Sequence, residues 1–312
     1  MRTPRLLVLL VALVGCAGAS RGDVTVRRTD YHGWRGAWRL SNGTVDLVFV
    51  PQIGRVMRFG FVGGPNVLWE NPALRGRALP VSARTKEWAN FGGDKLWPAP
   101  QARWAWPPDP HLDGAPQKVT PLPGRGIRAE TPVSAHKGIR FIREIALDPT
   151  GAGVTFRNVM HNAGRKDVDW SVWEVAQIVV PQYAELPLWK RGRNSRGHYV
   201  FKGYPPAPGT LQVGPDTVRF RWNPKRSGKI GADSPSGWVR AVFAGSRLTL
   251  SAAFLPEEEY PDDGCGQEIW SNAAPLRYME LELLGPIRSL MPGEKQALVT
   301  RWNLEPLRRS AR

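Results

Sequence analysis

Residues 45–72 read VDLVFVPQIGRVMRFGFVGGPNVLWENP, two short apolar runs, 45–50 and 56–62, parted by Pro51 and Gly54. Runs of that length, rich in Val and Phe and lacking the three-to-four spacing of a helix, are strands, and the GGPN that closes the second is turn chemistry. The pair predicts a β-hairpin. Comparable runs recur at 141–147, 153–159, 168–180, 239–243, 248–255, 278–284 and 297–304, punctuated by DPTG at 148–151 and MPGE at 291–294. Helical periodicity is nearly absent. The chain therefore reads as all-β, in mainly antiparallel twisted sheets, with no internal repeat and no second compositional block. The weakest pattern lies at 185–215, rich in Gly, Pro and Arg, and reads as a long insertion between sheets.

A second stretch, NFGGDKLWPAPQARWAWPPDP at 90–110, sets Trp97, Trp104 and Trp106 among prolines and glycines, with Asp94, Lys95, Gln101 and Arg103 threaded between them. Proline removes a backbone donor and fixes φ, so these read as loop or edge-strand tryptophans. Flat indole faces beside hydrogen-bonding side chains suit a ligand with apolar faces and a polar rim, and a sugar ring is such a ligand. A tryptophan-lined corner of the core is the alternative that these residues leave open.

The amino terminus reads as an export signal: MRTPR is basic, LLVLLVALV is apolar and too short to span a membrane, and Gly15-Cys16 supplies small residues for cleavage. Lys and Arg number 43 against 27 Asp and Glu, a net charge of +16, scattered along the chain with modest clusters at 190–193, 225–226 and 308–312. In an exported protein they read as a solvated face attracted to anionic lipid or polysaccharide, and nucleic acid is not an expected partner. Cys16 and Cys265 are the two cysteines. Cys16 stands at the cleavage point of the export signal, so Cys265 is the one cysteine beyond it and the fold must rest on its core. The common zinc, thiol, serine-hydrolase and P-loop motifs do not occur. The acidic run EEEYPDDG at 257–264 lacks calcium-loop spacing and reads as a solvated turn. No metal and no cofactor are expected.

Leu13-Val14-Gly15-Cys16 resembles the lipobox of bacterial lipoproteins. The resemblance implies cleavage before Cys16, acylation of its thiol and a membrane-tethered mature protein. Ala17 and Gly18, where inner-membrane retention favours an acidic residue, imply the outer membrane, facing the periplasm. Ordinary cleavage near Ala17 or Ala19 stays open. The stretch 45–72 resembles the opening of galactose mutarotase-like (aldose 1-epimerase) proteins, in which a strand ends at a proline and a turn like Gly54-Arg55 follows. GGDKLWPAP at 92–100 is similar to the GG-x-x-LW-x-AP segment of one branch of that superfamily, the DUF4380 family. RNVMHNAGRKDVDWSVWEVAQI at 157–178 is similar to its N-x-G turn and W-x-V-x-Q strand, and YMELELLGPIRSLMPGEKQALVTRWNL at 278–304 to its closing pattern. The four pieces occur in family order over most of 31–304. They imply one β-supersandwich with a sugar site in the concave face of one sheet. The expected organisation is a signal at 1–15, a tether at 16–30, one domain at 31–306 and a basic tail at 307–312.

In active members of the superfamily a glutamate near the end takes the anomeric hydroxyl proton and a histidine protonates the ring oxygen. Glu282, with Glu280 close behind, is the candidate base: strand alternation points both to one face and Met279, Leu281 and Leu283 to the other. Structural pairing with Arg58 or Arg301 is the alternative. None of His32, His111, His136, His161 and His198 stands where the superfamily places its histidines, and His161 reads as a turn residue. Asp94 or Glu174, its pKa raised by burial, is the substitute acid left open. Substrate contacts are expected from Arg55, Asp94, Lys95, Trp97, Gln101, Trp104, Trp173 and Gln177. The combined reading is an exported, lipid-anchored monomer that binds a mono- or oligosaccharide. An active aldose 1-epimerase, and a structural or partner-binding envelope lipoprotein, remain the alternatives. Serine in place of Cys16 is expected to abolish acyl labelling and membrane retention on cell fractionation; a mutant still membrane-bound after loss of its apolar run requires another attachment.

Overall fold

Strands β1 (Thr25–Tyr31), β2 (Trp34–Ser41), β3 (Val45–Val50), β4 (Arg55–Phe61) and β5 (Asp94–Ala99) open the chain. Next come β6 (Lys118–Leu122), β7 (Gly126–Glu130), β8 (Ile139–Leu147), β9 (Gly153–Asn162) and the long β10 (Val168–Val179). Shorter strands follow: β11 (Tyr183–Pro187), β12 (Tyr199–Val200), β13 (Leu211–Val213), β14 (Thr217–Phe220) and β15 (Gly228–Ala232). The last are β16 (Trp238–Phe243), β17 (Ser246–Ala252), β18 (Gln267–Ser271), β19 (Tyr278–Leu284), β20 (Arg288–Leu290) and β21 (Lys295–Pro306). This computed structural model describes residues 24–82 and 84–307. The signal segment, Cys16 and the 308–312 tail lie outside the described residues.

Two antiparallel sheets result. The first runs β1-β2-β3-β4-β5-β10-β19-β18-β15-β12, with β20 beside β10; the second runs β13-β14-β11-β16-β17-β21-β9-β8-β7-β6. They face each other across one apolar layer. Leu47, Phe49 and Phe59 enter it from the first sheet, and Phe141, Phe156, Leu250 and Trp302 from the second. Trp302 is the cross-piece, its ring 5.7 Å from Phe59 and 4.7 Å from Phe156. The expected all-β, mainly antiparallel sandwich is thus the observed one, as its period-two patterning requires.

Three expectations need correction. β1 starts at Thr25 and pairs with β2, so the sheet begins inside the segment assigned to a tether. The 185–215 insertion contains the end of β11, all of β12 and all of β13, which pair in the two sheets. His161 lies on β9, between Arg140 and Lys295, and is not a turn residue. Trp97 lies on β5, opposite Trp173 of β10, and β4 pairs with β5 only at Asp94, so the strand has an open edge beyond that residue, as the loop or edge-strand reading expected. That open edge is why Pro98 is tolerated in β5. The Pro98 carbonyl uses the open edge to accept a hydrogen bond from Trp104 Nε1 at 2.9 Å.

Between the sheets lies one buried ionic cluster. Arg143 on β8 reaches across to Asp94 on β5 and, at 2.5 Å, to Glu174 on β10. Asn158 Nδ2 also donates to Glu174, at 3.5 Å. One guanidinium balances one carboxylate, and the second is left without a countercharge in a dry interior. Burial accordingly pushes the Asp94 carboxyl up to about 7 against the attraction of Arg143, and Glu174 adds repulsion. Both carboxylates are structural; neither faces the concave side, so Asp94 is neither a sugar ligand nor a substitute acid.

The folded state therefore holds a proton on Asp94 that the unfolded chain, titrating near 3.8, gives up. Stability from this group is full below the unfolded value and is lost as pH rises towards about 7, by on the order of 4 kcal/mol. Asp94→Asn, which mimics the protonated form, is expected to remove that slope. Urea melts of both proteins between those pH values check this; an unchanged slope would mean that Asp94 is ionised in the fold.

Candidate functional site

The opposite face of the first sheet is built by the same alternation. On β5, Lys95 and Trp97 face outward while Leu96 enters the core. Across β10 and β19 the register sets Trp173 beside Trp97, Val175 between Lys95 and Glu282, and Gln177 beside Glu280. On β18, Glu268 stands opposite Glu282 and Trp270 opposite Glu280; on β15, Lys229 stands opposite Trp270. Five adjacent strands thus deliver one continuous patch of rings, carboxylates and ammonium groups.

The patch floors a cavity of about 320 Å³. Seven aromatic side chains border it: Trp97 and Trp173 at the base, Trp88, Trp106 and Tyr204 from loops, and Trp270 and Tyr278 from strands. Gln101, Asn272, Lys229, Glu280 and Glu282 supply the polar groups. Larger recesses, of about 510 and 840 Å³, lie elsewhere on the surface. The chemistry decides against size, because this cavity joins two buried carboxylates to seven rings.

The rings support one another at edges. Trp97 meets Trp173 at 5.3 Å, Trp104 at 6.0 Å and Trp106 at 6.2 Å, all T-shaped. Trp88 meets Trp106 at 4.8 Å, and Tyr204 meets Trp270 at 4.9 Å. Trp88 is held from behind: its Nε1 donates to Asp113 Oδ2 at 2.6 Å, and the other oxygen of Asp113 is paired with Arg55.

The two carboxylates sit in different environments. Glu282 Oε2 accepts from Trp173 Nε1 at 3.0 Å and from Lys229 Nζ at 3.1 Å. Glu280 Oε1 accepts from Gln177 Nε2 at 2.9 Å and from Lys95 Nζ at 3.3 Å. Burial raises the Glu280 pKa, Lys95 opposes the shift and Glu282 adds to it. Burial likewise lowers Lys95, with Arg55 helping and Glu280 opposing. Burial pushes both partners towards neutrality, and their mutual attraction opposes it. Lys229 differs. Burial pulls its pKa down, but Glu268, Glu282 and Asp262 together raise it and keep the ammonium charged. Burial also raises Glu268 well above the carboxylate range and raises Asp262.

Of the residues singled out by sequence, Trp97, Gln101, Trp173, Glu280 and Glu282 border the cavity. Lys95 and Gln177 lie behind Glu280 and hold it. Trp104 braces Trp97 from outside the cavity. Arg55 is fully buried and acts through Asp113 on Trp88, so it is not placed to touch a ligand. Glu280 and Glu282 pair with Lys95 and Lys229, not with Arg58, which binds Asp46, or Arg301, which binds Asp148. Asp262 of the acidic run is drawn in beside Lys229 and Glu268, so that run is not only a solvated turn. Sequence reasoning missed Trp88, Tyr204, Lys229, Trp270, Asn272 and Tyr278. For Trp270 and Asn272 the signal is QEIWSN at 267–272, where Glu268, Trp270 and Asn272 alternate with core-facing Ile269 and with Ser271.

Residues 37–305 match the family described as a domain of unknown function, DUF4380. The chain belongs to that family. No curated protein matches the sequence. Among solved structures, a galactose mutarotase-like protein from Clostridium acetobutylicum is similar at 11% identity, TM-score 0.58, over 91% of this chain and 99% of that one. A galactose mutarotase related enzyme from Lactobacillus acidophilus is similar at 10% identity, TM-score 0.52, over 86% of this chain and 97% of that one. A TPR-domain containing protein from Parabacteroides distasonis is similar at 18% identity, TM-score 0.57, over 87% of this chain; the match spans 48% of that protein, about half its length. At these identities the likeness shows the fold: this DUF4380 chain has the galactose mutarotase-like β-sandwich.

Trp97 is 5% exposed and Trp106 is 54% exposed, so the two rings answer differently to truncation. Trp97→Ala is expected to cost roughly 3–5 kcal/mol of stability, as large aromatic-to-alanine changes in cores do. Trp106→Ala is expected to stay within about 0.5 kcal/mol of the parent. Denaturant melts of the single mutants check both values; equal losses would place Trp106 in the core and remove it as a ligand platform.

Proposed function

We propose that this protein is an exported, lipid-anchored carbohydrate-binding protein of the cell envelope, tethered through Cys16 on the outer membrane, with its sugar seated in the concave cavity. The observation that supports this best is the joining of ring faces to the buried Glu280 and Glu282 carboxylates. An apolar sugar face stacks on indole, while ring hydroxyls donate to carboxylates and accept from Lys229 and Gln101. The mutarotase-like fold of the solved relatives agrees with a sugar ligand, although their names describe those proteins alone.

Binding without turnover is the leading form of this reading. Among the described residues no histidine borders the cavity, so the acid of the active superfamily members has no imidazole counterpart here. A second form rests on Glu280. Burial raises its pKa, and Glu282 beside it is held by Lys229 and Trp173, so two carboxyls in different surroundings face the same cavity. That is the arrangement an aldose 1-epimerase needs for ring opening and reclosure. Polarimetry on freshly dissolved glucose and galactose distinguishes the two forms, with no acceleration over buffer expected. Glu280→Gln is expected to weaken glycan binding by roughly ten- to hundredfold, the worth of a hydrogen bond to a charged group. Interconversion abolished by Glu282→Gln but kept in Glu257→Gln would establish the epimerase instead. Unchanged glycan affinity in Glu280→Gln would count against the cavity as the binding site.

A further inference from the structure

The concave face of the first sheet holds a second recess, of about 510 Å³, that the site above does not use. Its floor is Arg39, Val48 and Arg58 on β2, β3 and β4. Glu70 stands at its wall, accepting from Tyr31 Oη, from Asn66 Nδ2 at 3.1 Å and from Arg75 Nε at 3.2 Å, with His32 Nδ1 at 2.7 Å. Asp46 is gripped by Arg39 at 2.6 Å and Arg58 at 2.9 Å. Tyr31 and His32 stack with ring centroids 4.1 Å apart. His32 occupies the left-handed region, φ 45, in the two-residue turn between β1 and β2, a position that ordinarily takes Gly or Asn. Backbone strain of this kind persists where the side chain serves a purpose. The recess therefore repeats the chemistry of the first cavity, with ring faces set among fixed hydrogen-bonding groups.

The two recesses share a border. Val179 lines the second and pairs directly across the strands with Tyr278, which lines the first. Trp69, a wall of the second, lies against the same tyrosine with ring centroids 4.7 Å apart and planes 31° apart. A ligand leaving the first cavity past Tyr278 meets Trp69 next, on the segment that bridges to β10 through Leu68 and Ile178.

We propose that the second recess is a glycan subsite continuous with the first, so that the ligand is an oligosaccharide whose chain crosses the Trp69–Tyr278 pair. This inference rests on the carbohydrate reading of the first cavity. One unit occupies the cavity over Trp97 and Trp173; a later unit lies between His32, Trp69 and Arg75. Tethering the second contact to the first multiplies affinity without new contacts in the cavity.

Calorimetry with one-, two- and four-unit members of the cello-, malto-, laminari-, chito- and galacto-oligosaccharide series tests this on the full chain. For the series that binds, the four-unit member is expected to bind at least about tenfold more tightly than the one-unit member. His32→Asn, which keeps the left-handed turn, and Arg75→Ala, at an exposed side chain, are each expected to bring that ratio close to one. A parent protein that binds one unit with no gain on lengthening overturns the subsite and leaves the cavity reading standing. A gain that survives in both mutants also overturns it, since the chain then leaves by another route. No binding in any series at any length sinks the carbohydrate reading and the subsite with it.

Discussion

The structure depends on keeping five strands, β5, β10, β19, β18 and β15, in one register. In each, every second side chain enters the sandwich and every other one faces the concave side. Met279, Leu281 and Leu283 fill the core, and Tyr278, Glu280 and Glu282 form the site, on the same seven residues of β19. A slip of one residue in that strand would drive two carboxylates into the apolar layer and put three core residues in the cavity. Core and site are therefore one commitment. The apolar layer holds the register, and the register places the ligand groups.

Charge inside the molecule obeys a different balance from charge outside. The chain carries a net +16, yet its buried clusters are short of cations. Arg143 faces two carboxylates, and Lys229 faces Glu268, Glu282 and Asp262. Protons make up the difference, so burial raises Asp94, Glu268, Asp262 and Glu280 alike. Between the sheets the retained proton keeps a structural clasp neutral. At the cavity the same burial acts on Glu280, whose carboxyl stands among the ring faces.

The fold was legible because its signals are local: apolar runs of strand length with turn chemistry between them. Glu280 and Glu282 were legible for the same reason, since alternation within YMELEL needs no knowledge of neighbours. Asp94 shows where the same rule was not pressed far enough. It is adjacent to Lys95, so on a strand the two cannot both face a ligand. Arg55 and Trp104 failed for a different cause. They support the site through Asp113 and Trp97, and a supporting contact has no signature in the chain itself. Lys229 could not be found alone, because a lysine between glycines acquires meaning only when pairing brings it opposite Trp270.

The early start of β1 has a mechanical consequence. With the edge strand beginning at Thr25, a lipid at Cys16 would hold the domain by nine residue steps, in place of the fifteen that a domain starting at Tyr31 would leave. At roughly 3.4 Å per extended residue the leash reaches about 30 Å instead of about 50 Å, close to the width of one small domain. The hairpin β1 to β2 carries His32 at its far end, beyond the seven residues of β1. A lipid at Cys16 would therefore draw the Thr25 end of the strand towards the bilayer and leave the His32 turn, at the rim of the second recess, at the other end.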